Sequence, residues 1–134
     1  MYTRTFFFIL TVLMFMAVGC GDNVPMRGKV TFSDDNSPLT AGMVSFTSDT
    51  LLARGHLKPN GTYVIGTNTE KDGLPKGTYI VTISDAVEIV PPPPNASGLP
   101  GPTVMRQLIA PLEPKTVVVD GKTKVYNIVV DRPK

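Results

Sequence analysis

Short segments that alternate polar and apolar residues, separated by dense turn formers, most restrict what this chain can fold into. Residues 26–32 alternate in this way, and so do the segments 43–47, 51–57, 62–67 and 77–84. A period of two residues is that of a β-strand with one face buried and one in water. No stretch shows helical periodicity of useful length, and no internal repeat is present. An all-β domain follows.

Turn residues separate the predicted strands. Residues 33–38 read Ser-Asp-Asp-Asn-Ser-Pro, and Lys58-Pro59-Asn60-Gly61 predicts a hairpin turn in which Gly61 takes a positive φ at no steric cost. Two further segments, 116–119 and 125–130, flank Asp120-Gly121-Lys122 and are interpreted as a closing hairpin. About seven short strands with regular turn signals predict a β-sandwich.

The inward-facing positions of these strands predict the core. Val118 is its weakest member, because the run Val117-Val118-Val119 contains no polar residue to set the phase. The predicted core residues are Val30, Phe32, Val44, Phe46, Tyr63, Ile65, Tyr79, Val81, Ile83, Val118, Ile128 and Val130.

A proline-rich stretch interrupts the strand pattern. Four consecutive prolines occupy positions 91–94, and Pro100 and Pro102 follow. Proline has no N–H to donate to a ladder and favours polyproline II. We therefore expect a proline-rich loop over residues 88–104, with residues 91–102 exposed, mobile and free of ladder hydrogen bonds. The segment is interpreted as a stiff spacer or as a peptide that docks on an aromatic groove.

The N-terminus has a different composition from the rest. Arg4 precedes Phe6 to Val18, an uncharged run of thirteen residues that is too short to span a bilayer but fits the apolar region of a signal peptide. The run leads into Ala17-Val18-Gly19-Cys20, which resembles a bacterial lipobox. We expect a signal peptide over 1–19, lipidation of Cys20, and a lipidated tether over 20–25.

These features predict a location. Acyl chains such as palmitate on Cys20 anchor a protein to the membrane, and two signals make the anchoring stable. Gly21, rather than Asp, follows the lipidation site, so the outer membrane of the cell envelope is preferred. The predicted domains are therefore 1–19, 20–25 and a β-sandwich over 26–132.

The composition excludes several functions. One Cys and one His cannot build a disulfide framework or a Cys- or His-rich metal site, and a net charge of +2 gives no basic field for nucleic acid. His56 is interpreted as an exposed strand residue. No cofactor is expected, and no catalytic residue is assigned.

Two clusters suggest sharper hypotheses. Residues 34–37 could begin a calcium loop, but they lack the alternating acids and the distal Glu of such a loop, so a solvated turn is favoured. Lys29 and Asn127, on the first and last strands, could form an isopeptide bond. Both are out of phase with their buried neighbours, so we expect both side chains to face water.

The chain resembles the small planctomycete-type lipoproteins that carry a carboxypeptidase-regulatory-like, or transthyretin-like, domain. The resemblance covers residues 26–84 and the last strand, and residues 85–114 depart from it. It implies a seven-stranded, prealbumin-like Greek-key sandwich and no particular reaction. The matching residues are Gly28-Lys29-Val30-Thr31-Phe32, Gly42-Met43-Val44-Ser45-Phe46, Ala53-Arg54-Gly55-His56-Leu57, Asn60-Gly61-Thr62-Tyr63, Gly66-Thr67, Asp72-Gly73-Leu74-Pro75-Lys76-Gly77-Thr78-Tyr79 and Val129-Val130-Asp131-Arg132-Pro133.

The expected function is that of an exported, membrane-anchored lipoprotein. Its domain would be a non-catalytic structural or binding module that contacts an envelope protein or polysaccharide. The alternatives are a small carbohydrate-binding domain and, less favoured, a hydrolase of the transthyretin-like fold, for which a single histidine supplies too few catalytic groups.

Overall fold

The computed structural model describes residues 22–69 and 72–134. The predicted signal peptide and Cys20 lie outside the described residues. Within them the chain forms only β-strands, and it contains no helix with the length and apolar character needed to cross a membrane. The strands are β1 (Arg27–Phe32), β2 (Met43–Thr47), β3 (Leu52–His56), β4 (Thr62–Val64), β5 (Gly77–Ser84), β6 (Val87–Val90), β7 (Val104–Gln107), β8 (Lys115–Val119) and β9 (Ile128–Val130).

Seven of these strands form two sheets, and the other two form a separate hairpin. One sheet has the order β4-β1-β9, and the other has the order β3-β2-β5-β8. All pairs are antiparallel except β1 with β9, which is parallel. Residues from both sheets contribute to one continuous buried cluster. The predicted all-β sandwich is confirmed.

The core follows the alternation of the strands. Ten of the twelve predicted core residues are buried, all except Ile83 and Val118. Ile83 is half-buried near the end of β5. Val118 is wrong as a core residue, since it is 67% exposed and its neighbour Val119 is buried instead. The register explains this, because Val118 pairs with Thr78 on the outer face of β5, whereas Val117 pairs with the buried Tyr79.

The predicted closing hairpin is also wrong. Strand β8 pairs with β5 in the four-stranded sheet, while β9 pairs with β1 in the other sheet. The segment before β9 already runs along β1, where the amide of Arg27 donates to the carbonyl of Lys124 at 3.0 Å and the amide of Tyr126 donates to Arg27 at 2.9 Å. These contacts separate β9 from β8 and close the three-stranded sheet.

The turn at residues 58–61 forms, but it links two sheets. Gly61 has a φ of +78°, as predicted, and its amide donates to the carbonyl of Lys58 at 2.8 Å. Strand β3 then lies in one sheet and β4 in the other, and Arg54 and Gly66 are joined by two backbone hydrogen bonds of 3.0 Å. The turn is therefore a corner of the sandwich.

The long connection after β5 corrects the predicted loop over residues 88–104. Strands β6 and β7 pair antiparallel at its two ends, so residues 91–103 form the tip of a two-stranded hairpin. Its base is fixed to the sandwich, since the amide of Leu108 donates to Ala86 at 2.8 Å and both Ala86 and Ile109 are buried.

The packed domain begins before the predicted start at Met26. Val24 is buried, and it exchanges two backbone hydrogen bonds with Leu74, of 2.7 and 3.0 Å. The six-residue tether predicted over 20–25 therefore ends in packed structure, and Asp22 and Asn23 are the exposed described residues before it.

Candidate functional site

His56 lies at the end of β3 and is exposed, as predicted. His56 is the single histidine of the chain, so no second histidine can lie beside it. Within residues 22–69 and 72–134, no group of three or more His, Cys, Asp or Glu side chains is placed to hold a metal ion. The part of the chain that the structure describes thus offers no metal centre built on His56 or on residues 34–37.

A polar cluster surrounds Arg132, just after β9. The guanidinium lies over the ring of Phe32, with its central carbon 3.8 Å from the ring centroid. Its Nε donates to Asp34 Oδ2 at 2.8 Å, and its Nη2 donates to Asp35 Oδ2 at 3.0 Å and to Ser37 Oγ at 2.9 Å. Arg132 therefore ties the end of the last strand to the turn that follows β1.

The same cluster sets the electrostatics of this turn. The Ser37 hydroxyl and amide donate to Asp35 Oδ1 at 2.6 and 2.9 Å, and with Arg132 they lower the pKa of Asp35 to about 2. The hydrogen bond to Asp34 raises the pKa of Arg132 above its usual value. Each acid of the turn is thus paired with a cation or a hydrogen-bond donor, which explains why residues 34–37 form a closed turn rather than an open cation loop.

An open groove of about 690 Å³ lies beside this cluster. Its polar wall includes Ser33, whose hydroxyl donates to Asp131, and the side chains of Asp34 and Arg132. A nucleophilic serine needs a general base oriented by a third group. His56 does not line the groove, so no histidine stands beside Ser33 and Asp131 to act as its base.

Lys29 and Asn127 are neighbours, as their positions on the first and last strands implied. The contact joins the backbone amide of Lys29 to Asn127 Oδ1, at 3.0 Å, and both residues are exposed. Ser45 is the only polar or charged residue buried in the described part of the chain, so no buried acid stands near the pair. The contact is a hydrogen bond between β1 and the segment that leads into β9.

A second ordered loop depends on one carboxylate. Asp72 accepts hydrogen bonds from the amides of Thr67, Asn68 and Thr69 at 2.6, 3.0 and 3.1 Å. These donors, the Thr67 amide foremost, lower the pKa of Asp72 to about 2. The bonds hold the backbone of residues 67–69 against Asp72, two positions before Leu74. Asp72 therefore has a structural role.

The β6–β7 hairpin carries four exposed large apolar side chains. Three of them lie on its strands, namely Ile89, its cross-strand partner Met105, and Val104. The fourth, Leu99, lies at the tip. Arg106 forms an ion pair with Glu88 across the strands. The hairpin is thus the most apolar projection among the described residues.

Sequence reasoning missed both the Arg132 cluster and the hairpin. The residues joined by Arg132 are about a hundred positions apart in sequence, so no local pattern connects them. Only one arm of the hairpin left a signal, because residues 87–90 read Val-Glu-Ile-Val, whereas residues 104–107 read Val-Met-Arg-Gln with one β-branched residue. The proline run between the two segments favours a loop, and this is why the sequence predicts a loop rather than a hairpin there.

The described residues form an all-β sandwich with a projecting hairpin. Comparison with protein families and with curated proteins gives no match. Among solved structures, the chain is similar to BcpA, the major pilin subunit of Bacillus cereus, with a TM-score of 0.52 and 10% identity over 84% of this chain. The match spans 30% of the pilin chain.

A weaker similarity concerns a 9R-lipoxygenase from Cyanothece. Its TM-score is 0.36 at 19% identity, and the match covers 79% of this chain and 16% of the lipoxygenase. The pilin similarity supports the β-sandwich architecture alone.

Proposed function

We propose that this chain is an exported bacterial lipoprotein, anchored through an acylated Cys20. Its β-sandwich is a non-catalytic structural or binding module of the cell envelope, and the outer membrane is the preferred location. The observation that carries the proposal is the uncharged run from Phe6 to Val18, which ends two residues before the only cysteine of the chain.

The start of the domain supports this anchoring. Val24 is the first buried residue of the described part of the chain, and only three residues separate it from Cys20. At about 3.3–3.6 Å per extended residue, the four steps from Cys20 to Val24 reach roughly 14 Å. An acylated Cys20 would hold the Val24–Leu74 end of the sandwich close to the lipid headgroups.

The finer family assignment is also proposed. The resemblance to the carboxypeptidase-regulatory-like domain of small planctomycete-type lipoproteins rests on turn glycines and core positions. Gly28 and Gly61 support it, because a Cβ at Gly28 would lie 1.8 Å from the Tyr126 carbonyl oxygen and one at Gly61 would lie 2.8 Å from that of Val30. Both glycines are required by close backbone approach.

The absence of catalysis is inferred from the polar groups of the described residues. Asp34, Asp35 and Asp72 are held by hydrogen bonds within their own turns, and Arg132 is bound to carboxylates. Exposed aromatic platforms, which a carbohydrate-binding domain uses, are also lacking there. Of the five aromatic residues in this part, Tyr126 is half-buried and the others are buried: Phe32, Phe46, Tyr63 and Tyr79. A protein contact is therefore favoured over a glycan contact.

The test is Cys20→Ser in the full chain, with Ser33→Ala as the matched control. We expect the control to lose its signal peptide and to partition into detergent with a lipid-modified N-terminus, as the parent chain does. Cys20→Ser should keep residues 1–19 and lose the added lipid mass. Intact mass spectrometry and detergent phase partition provide the readouts. Maturation of Cys20→Ser at residue 20, with unchanged partition, would overturn the proposal.

A further inference from the structure

We propose that the proline run of residues 91–94, displayed at the tip of the β6–β7 hairpin, is a docking ligand for an aromatic-lined groove on a partner protein. The inference rests on the proposed function, since it names the class of partner that the envelope module binds. It is argued from the hairpin's exposure, from the way its tip is held and from its charge.

The hairpin is not covered by the rest of the described chain. Strands β6 and β7 pair only with each other, and Ile89 and Met105 are 65% and 71% exposed. A two-stranded hairpin is marginally stable by itself, and exposed apolar groups at such a site mark interaction surfaces. The hairpin therefore has the features of an interaction surface.

The tip is held in one conformation by its own contacts. Asn95 Oδ1 accepts hydrogen bonds from the amides of Ser97 and Leu99 at 3.1 and 2.9 Å, and Gly98 takes a φ of +72°. The returning strand passes close to the prolines, because a Cβ at Gly101 would stand 3.2 Å from Pro92 Cβ. Pro92 thus faces the hairpin, while Pro91, Pro93 and Pro94 are exposed.

This order lowers the cost of binding. A segment that is already fixed loses little conformational entropy when it docks, so more of its contact energy appears as affinity. Consecutive prolines also favour polyproline II without internal hydrogen bonds. The tip is thus a preformed, extended ligand.

The charge pattern excludes a partner that binds by charge. The seventeen residues between Glu88 and Arg106 contain no Asp, Glu, Lys or Arg, and Glu88 and Arg106 pair with each other. Polyproline segments of this kind are bound by grooves lined with aromatic side chains, in which the proline rings pack on the aromatic faces. That chemistry specifies a protein partner with an apolar, aromatic groove.

The anchoring membrane and a glycan fit less well. Strand β5 begins three residues after Leu74, at the end of the sandwich where Val24 packs, and it ends at Ser84, just before the hairpin. Its eight residues span roughly 23 Å at 3.3 Å per residue, so the hairpin leaves from the end opposite to the tether. The hairpin also has no Trp, Tyr, Phe or Lys, which interfacial and sugar-binding loops use.

The test uses the full lipidated chain in its native envelope, with a photo-crosslinking phenylalanine in place of Ala96. We expect one protein adduct, whose crosslinked peptide contains or borders a cluster of aromatic residues. Binding of that purified partner to Pro91→Ser/Pro93→Ser/Pro94→Ser should be at least about tenfold weaker than binding to the parent chain. The matched control, Pro100→Ser/Pro102→Ser, changes the returning arm and should retain both adduct and affinity.

Three results would overturn the inference. The first is the lack of an adduct, and the second is an adduct with a second copy of this chain, a lipid or a glycan. The third is a loss of partner binding in the control that equals the loss in the triple variant. Thermal melting of each variant checks that the sandwich is intact. Substitution of these exposed prolines should leave the melting midpoint unchanged. Detergent partition of the same samples separates the two proposals. If the parent chain partitions into detergent but gives no partner adduct, only the docking inference is refuted. If the parent chain carries no lipid on Cys20, the proposed function is refuted.

Discussion

Phe46→Ala tests the core of the sandwich most directly. Phe46 lies in β2, which pairs with β3 on one side and β5 on the other, and its side chain is fully buried. Its ring makes edge contacts with Tyr79 and Tyr126, at centroid distances of 6.3 and 6.2 Å. The substitution removes the ring and both contacts while leaving the backbone pairs of β2 in place.

The magnitude follows from this environment. Truncating a buried Phe to Ala costs about 3–5 kcal/mol, and edge-to-face pairs contribute about 0.5–1.5 kcal/mol beyond burial. The upper half of the range is expected, because two aromatic neighbours lose their partner. Relative to a total stability of about 5–15 kcal/mol, such a loss is large. At about 4 °C per kcal/mol for a domain of this size, the melting midpoint falls by roughly 16–20 °C.

The assay is urea denaturation of a chain that begins at Asp22, which retains every buried residue of the described core. The slope with denaturant should stay constant while the midpoint falls, which identifies a change in stability rather than in compactness. Val118→Ala is the control, since Val118 is exposed and its truncation should change stability by less than about 0.5 kcal/mol. A Phe46→Ala loss below about 1 kcal/mol, or one equal to that of the control, would refute the core placement.

Two further substitutions address close approach and acid stability. Gly28→Ala should destabilise the domain by about 1–3 kcal/mol in the same urea assay, because its Cβ would overlap the Tyr126 carbonyl, and an unchanged midpoint would contradict the placement of β1. The pKa of Asp35 is lowered to about 2, so the folded state gains stability above the ordinary value of 3.8 and loses it as pH falls towards 2. Arg132→Ala removes one cause of that lowering, so acid unfolding should begin at a higher pH, whereas the control Lys134→Ala should leave the dependence of unfolding on pH unchanged. Identical pH dependence in Arg132→Ala and the parent chain would show that Ser37 alone keeps the pKa of Asp35 low.

The strands that alternate cleanly were predictable from sequence. Residues 43–47 and 77–84 form β2 and β5 with the predicted bounds, because a period of two with β-branched residues has one good burial solution. Val117-Val118-Val119 was not predictable, since three identical residues fit either phase and only pairing with β5 decides between them. Local pattern thus determined the elements where it was unambiguous.

Pairing between distant strands could not be predicted in this way. Asp120-Gly121-Lys122 is a good turn sequence, and Asp120 Oδ1 does accept the amides of Lys122 and Thr123, at 2.8 and 3.2 Å. The turn forms, yet the chain continues along β1 because β9 completes the other sheet. A turn motif specifies local geometry, whereas the choice of sheet depends on burial across the whole domain.

The Arg132 cluster and the hairpin belong together in the proposed function. A groove of about 310 Å³ lies between them, lined by Phe32 and Arg132 from the cluster and by Glu88, Arg106 and Leu108 from the hairpin. A displayed ligand is useful only if its support is rigid, since looseness at the base spreads the tip over many positions. Arg132 ties the end of β9 to the turn after β1, and it also lines this groove beside the hairpin. Under the docking proposal, the cluster would be the support and the proline tip the part that meets the partner.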